Sequence, residues 1–122
     1  MLLEFHTWWA YAAVTLCGLA GLWGVVLRLL KRPAGQAFRV GAAVGIGAIL
    51  LQVAVGLALY GQGRRGGTFH LFYGVVILVT LAFAYIYRDQ LSKRAPLAWG
   101  LLLLFLMGLG IRAMTTVERG LG

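Results

Sequence analysis

The sequence predicts an all-α integral membrane protein, an up-down bundle of four transmembrane helices with both termini on the outer side. Three observations carry that expectation. Four apolar runs are each long enough to cross a bilayer, three breaks rich in charge and turn-forming residues separate them, and the composition is too apolar for a water-soluble surface. Of 122 residues, 61% are hydrophobic and 11% charged, with a mean hydropathy of +0.89, against roughly one-quarter charged in an ordinary soluble domain. A soluble fold of this length buries only about two-thirds of its surface, so the bilayer must cover the remaining apolar side chains. Four spans with short connections use up the chain, which predicts one domain over residues 1–122.

The first apolar run extends from Phe5 to Leu29. It does not read as a signal peptide, because Glu4 precedes it, no Lys or Arg appears before Arg28, and the run exceeds the roughly 7–15 residues of an h-region. The second run covers Phe38 to Tyr60, the third Thr68 to Tyr87 and the fourth, the shortest, Leu97 to Met114. Each spans a hydrocarbon core of about 30 Å at about 1.5 Å per residue. The breaks are Arg28 to Pro33, Gly61 to Gly67 and Arg88 to Pro96, where Gly, Pro and charges mark water-facing loops.

Basic residues set the orientation. The first and third connections carry Arg28, Lys31, Arg32, Arg39, Arg88, Lys93 and Arg94, and the opposite side carries Arg64, Arg65, Arg112 and Arg119. The excess places the first and third connections in the cytoplasm and predicts a multi-pass protein of the cell (inner or plasma) membrane. The net charge of +8 forms no stripe, so it reads as a topology signal and no nucleic-acid partner is expected. Trp8, Trp9, Tyr11, Tyr60, Phe69, Phe72 and Tyr73 gather toward the outer ends of the first three spans, as an interfacial aromatic belt does. The single Cys17 lies inside the first span and excludes an intramolecular disulfide.

Small residues recur at helical spacing: Ala10, Ala13, Cys17, Gly21 and Gly24 in the first span, and Gly41, Gly45, Ala48, Gln52 and Gly56 in the second. Such stripes admit close approach of another helix or of a flat prosthetic group. Gln52 is an amide inside a span and needs a partner, either another helix or a bound group.

The only two histidines, His6 and His70, open the first and third spans. In an up-down bundle those spans run in the same direction, so both imidazoles lie at similar depth on the outer side. An axial pair on one haem needs that arrangement. Ala10 follows His6 by four residues and Gly74 follows His70 by four, which leaves a small surface beside each ring. Arg64, Arg65 and Arg112 are the candidate cations for propionates. Zinc would require a third protein ligand, for which Glu4 is the only nearby candidate.

The segment Leu50 to Leu59, with Gln52 and Gly56, followed by Phe69-His70-Leu71-Phe72-Tyr73-Gly74, resembles a helix pair of the heme A synthase family. Glu4-Phe5-His6-Thr7-Trp8-Trp9-Ala10 is similar to a degenerate form of that family's other histidine motif. Members usually hold two such four-helix bundles, and this chain resembles one. The resemblance implies haem b ligated by His6 and His70, with Ala10, Gly74 and Gln52 lining the ring. It implies electron transfer through a six-coordinate iron or, in an enzyme, oxidation of a haem O substrate to haem A, with Glu4 as the candidate catalytic carboxylate. In the family's catalytic half the glutamate lies three residues before a histidine that is followed by arginine. Here Glu4 lies two before His6 and Thr7 follows, and the outer-loop cysteine pair of many members is missing. Half the family length and a glycine-rich surface suggest a homodimer. The alternative is a non-enzymatic small membrane subunit or assembly factor of a respiratory or transport complex, whose glycine stripes contact larger partners. A transporter or channel ranks last, since the spans carry no buried carboxylate or lysine pathway.

Overall fold

The computed structural model describes residues 2–63 and 67–118. Each apolar run forms one helix: α1 is Leu2–Leu29, α2 Gly35–Gly61 and α3 Thr68–Ile86, and after a short α4 at Arg88–Lys93 the chain ends its described part in α5, Leu97–Glu118. All four long helices are long and apolar enough to cross a membrane, the last over Leu97–Thr116. The described residues contain no strand.

The helices outrun the apolar runs at four of their eight ends, and α3 stops one residue short, at Ile86. α1 begins at Leu2 rather than Phe5, because Glu4 in the first turn complements the helix dipole and Leu2 and Leu3 are good helix formers. α2 begins at Gly35, before the apolar run at Phe38, and continues one residue past Tyr60. α5 runs beyond Met114 through the Thr115-Thr116 step, where each hydroxyl bonds the backbone carbonyl three residues back. The third break is also not all loop. Arg88, Gln90, Leu91 and Lys93 have good helical propensity and close α4, and charge had marked the segment only as water-facing. Between α1 and α2 the chain leaves the helix through Lys31, at φ 57, with the Arg32 N–H donating to the Leu27 carbonyl at 2.8 Å. That is the six-to-one bond of a Schellman cap on a residue other than the usual glycine.

Neighbouring helices alternate in direction. Along α1 and α2 the touching pairs are His6 with Gly56, Trp9 with Ala48, Cys17 with Gly45 and Trp23 with Gly41. Along α1 and α5 they are Val14 with Gly110, Gly18 with Met107, Gly21 with Leu104 and Gly24 with Pro96. His70 with Ala113 and Tyr73 with Arg112 fix α3 against α5 in the same antiparallel sense. α1 therefore sits between α2 and α5, and α3 docks on α5; α2 and α3 barely meet, and α1 and α3 lie diagonally apart.

The small-residue stripe of α1 serves two seams. Ala13 and Cys17 are buried against α2, while Gly18, Gly21 and Gly24 let α5 approach the backbone itself. Phe38, Ile49, Leu103 and Leu106 fill the bundle centre and are almost fully buried. Outside, Leu19, Leu22, Phe83 and Phe105 are exposed, the inversion of a soluble surface that hydrocarbon solvent permits.

Side chains also bond backbone across the α1–α2 seam. The Trp9 indole N–H donates to the Ala48 carbonyl at 2.8 Å, and the Cys17 thiol donates to the Gly45 carbonyl at 3.2 Å. Trp9 thus leaves the aromatic belt expected from its position and turns inward, while Trp8 remains 73% exposed. Trp9→Phe keeps the ring and removes the donor, so it is expected to destabilise the bundle by about 0.6 kcal/mol, the average for such a bond in a membrane bundle. Unfolding in mixed micelles measures the loss.

Candidate functional site

The histidines meet although their helices do not touch. His6 lies in the second turn of α1 and His70 in the first turn of α3. Because both helices run antiparallel to α5, the two residues arrive at the same end of the bundle. Their ring centroids are 6.1 Å apart and the ring planes stand at 90°.

Both rings border a cavity of about 440 Å³ enclosed by α1, α2, α3 and the last turns of α5. That volume falls within the range of small-molecule and cofactor sites, about 300–1,000 Å³. Its lining includes the exposed Tyr60 and the buried Ala13, Ile49 and Ile77. From Leu3 to Val14 on α1 it runs about 16 Å along the helix axis. Its walls are almost wholly apolar; the polar groups facing it come from the two histidines, Gln52, Thr7 and two tyrosines.

Each histidine is held differently. The His70 Nδ1 lies 3.0 Å from the Ala113 carbonyl oxygen of α5. A carbonyl can only accept, so Nδ1 carries the proton and the Nε2 lone pair is left available. This is the tautomer and the kind of outer hydrogen bond that metal-ligating histidines use. His6 is fixed by packing instead. A Cβ at Gly56 would stand 3.0 Å from His6 Cε1, so any larger residue there would press on the ring.

Gln52 finds its partner on another helix. Its Nε2 donates to the His6 backbone carbonyl at 2.7 Å, tying α2 to α1, and its side chain lines the cavity. Gln52 Oε1 and His6 Nδ1 are both buried without a hydrogen-bond partner among the described residues. Two such orphans in one apolar pocket are costly unless a bound group or water answers them.

The other expected residues divide. Ala10 and Gly74 line the cavity, and a Cβ at Gly74 would meet nothing within 4 Å. Glu4 is exposed and forms no part of the cavity wall. Arg112 is turned outward: its Nε donates to the Tyr73 hydroxyl at 3.4 Å and its guanidinium lies over that ring. Arg64, Arg65 and Arg119 lie outside the described residues. The residue that sequence reasoning missed is Ala113, whose contribution is a main-chain carbonyl and leaves no side-chain signal. Gly56 had a signal, its place four residues after Gln52 on the small-residue stripe.

Comparison of the chain with protein-family models, with curated proteins and with solved structures finds no match.

Proposed function

We propose that this chain is a haem b-binding membrane protein of heme A synthase type, with His6 and His70 as the two axial ligands. The observation that carries the reading is the adjacent pair itself, two imidazoles bordering one apolar cavity, one of them already held in the ligating tautomer by Ala113. With ring centroids 6.1 Å apart, the two imidazoles are close enough that both would hold one metal-bearing group. Among the described residues no third His, Cys, Asp or Glu joins the pair. The pair therefore suits a metal that brings its own equatorial ligands and not a bare zinc ion, which needs more protein donors.

His6 and His70 would hold the haem, which would supply one-electron redox chemistry there. The chain's own residues do the rest. Ala113 fixes the His70 tautomer, Gly56 makes room for the His6 ring, and Gln52 holds the α1 backbone at His6. Ala10 and Gly74 leave the space beside the rings unfilled, and the apolar walls exclude water. Position favours electron transfer over oxidation of haem O to haem A, since Glu4 stands outside the cavity. A haem O turnover assay in a strain lacking other heme A synthases tests the enzymatic form directly.

The orientation proposed is the histidine end outward in the inner or plasma membrane. Its support is the exposure of Arg28, Lys31, Arg32, Arg39, Arg88, Lys93 and Arg94 at the opposite end. Gly18, Gly21, Gly24, Gly100 and Gly110 pack inside the bundle, whereas Gly47 and Gly108 meet open space. Half the family length and a glycine-rich surface suggest a homodimer, and crosslinking in native membranes decides between monomer and dimer.

The deciding experiment is a visible spectrum, oxidised and reduced, of protein purified in mild detergent from haem-replete cells. One low-spin haem per chain is expected, and a colourless preparation overturns the proposal. Gly56→Ala offers a finer check. It raises helix propensity by up to about 1 kcal/mol yet presses on His6 Cε1, so the thermal midpoint should hold or rise while the low-spin spectrum weakens.

A further inference from the structure

At the end of the bundle remote from the histidines, a second cavity of about 280 Å³ opens between α2 and the α4–α5 corner. Arg39, Ala42, Ala43 and Ile46 of α2 form one wall, and Ser92 and Trp99 face them. It has a polar head and an apolar body. Arg39 makes no hydrogen bond or ion pair with any described residue, whereas Arg88 of α4 donates to the Tyr85 carbonyl and covers that ring. The Ser92 hydroxyl accepts from the Trp99 indole N–H at 3.3 Å, which leaves its own proton without an acceptor among the described residues.

Below that head the groove runs along α2 from Arg39 to Ile46, about 10 Å at the helical rise. Ala43 is exposed, as are Val40 and Val44 beside it, so the groove lies open to the hydrocarbon around the bundle. Arg28, Lys31, Arg32, Lys93 and Arg94 are exposed at the same end, and Asp89 is the one acid there among the described residues. The groove thus joins a strongly positive surface to an apolar slot.

We propose that this groove is a binding site for one anionic glycerophospholipid, its phosphate on Arg39 and Ser92 and an acyl chain along Ala43 and Ile46. A guanidinium and a hydroxyl suit phosphate oxygens, and basic pockets between transmembrane helices on the positive side are where anionic headgroups bind. A free phosphate would gain nothing from the alanine and isoleucine surface. The proposal is independent of the histidine cavity at the other end.

Detergent-exchanged protein is mixed with phosphatidylglycerol or phosphatidylcholine and read by native mass spectrometry. One phosphatidylglycerol should be retained in preference to phosphatidylcholine, by about fivefold or more for one cation near the surface. Arg39→Gln should erase that preference. Ala43→Phe fills the slot from its exposed side and should reduce retention of both lipids. Arg32→Gln removes the same charge from the same end without touching the groove and should change nothing. Equal retention of the two lipids by the unaltered protein overturns the proposal, and needs no variant to fold. An equal effect of Arg32→Gln and Arg39→Gln overturns it too, since the attraction is then diffuse. Displacement of the lipid by inorganic phosphate at equal concentration would reduce the site to an anion site and also reject it.

Discussion

His6→Ala and His70→Ala should each abolish the low-spin haem spectrum, and the double variant should be colourless, while all three remain folded bundles. Neither histidine carries the packing. Both rings border a cavity and neither belongs to the buried centre formed by Phe38, Ile49, Leu103 and Leu106. His70→Ala forfeits the bond to the Ala113 carbonyl, about 0.6 kcal/mol in a membrane bundle. His6→Ala forfeits a ring contact with Gly56 and relieves one orphaned nitrogen. Monodisperse elution with loss of colour is therefore the expected pair of observations. An unchanged spectrum in either single variant rejects that residue as a ligand, and loss of the folded peak in both would show that the imidazoles serve the bundle itself.

Gly100→Leu should have the largest effect on stability. A Cβ at Gly100 would lie 2.9 Å from the Gly21 carbonyl oxygen and 3.1 Å from both Gly24 Cα and the Val25 nitrogen. Every one of those atoms is backbone, so no side chain can rotate away and α5 must leave α1. From the other side, a Cβ at Gly24 would meet the Pro96 carbonyl oxygen at 2.8 Å and Gly100 Cα at 2.9 Å. Overpacking of a tight interior costs about 1–3 kcal/mol. Within a bilayer the close fit is itself the main attraction between helices, because lipid tails are as apolar as the side chains they replace. We expect a loss at the upper end of that range, measured by unfolding in mixed micelles. Gly108→Leu is the control: a Cβ there meets nothing within 4 Å, and the change should be close to neutral.

The four spans were legible because apolar length is a one-dimensional property, and a bilayer reads it directly. The pairing of His6 with His70 was legible for a related reason: two residues at the same ends of alternate spans share a depth whatever the packing. Partners were harder to read. The stripe from Ala10 to Gly24 announces close approach without saying by which helix, and α1 divides it between α2 and α5. Trp9 and Trp8 have the same composition signal, yet one bonds the Ala48 carbonyl and the other faces outward, a difference set by helix rotation. α4 was hidden because charged residues that form helix and charged residues that form loop look alike when hydropathy is the guide. Arg112 was expected near the site because it lies at the outer end of its span, and its guanidinium stands over the Tyr73 ring of the neighbouring helix, a partner no spacing rule signals.

The docking of both α1 and α3 on α5 has a consequence for the order of events at the ribosome. His6 emerges with the first span and His70 with the third, but the carbonyl that orients His70 and the helix that braces both earlier spans belong to the last. A nascent chain with three spans in the membrane holds both imidazoles, but only His6 has its neighbours, Gly56 and Gln52 of α2, while His70 lacks the carbonyl that orients it. Were the two histidines to hold a haem as proposed, its loading would wait for the final span, and a pulse-labelled chain arrested before Leu97 should acquire no pigment even where the full-length protein does.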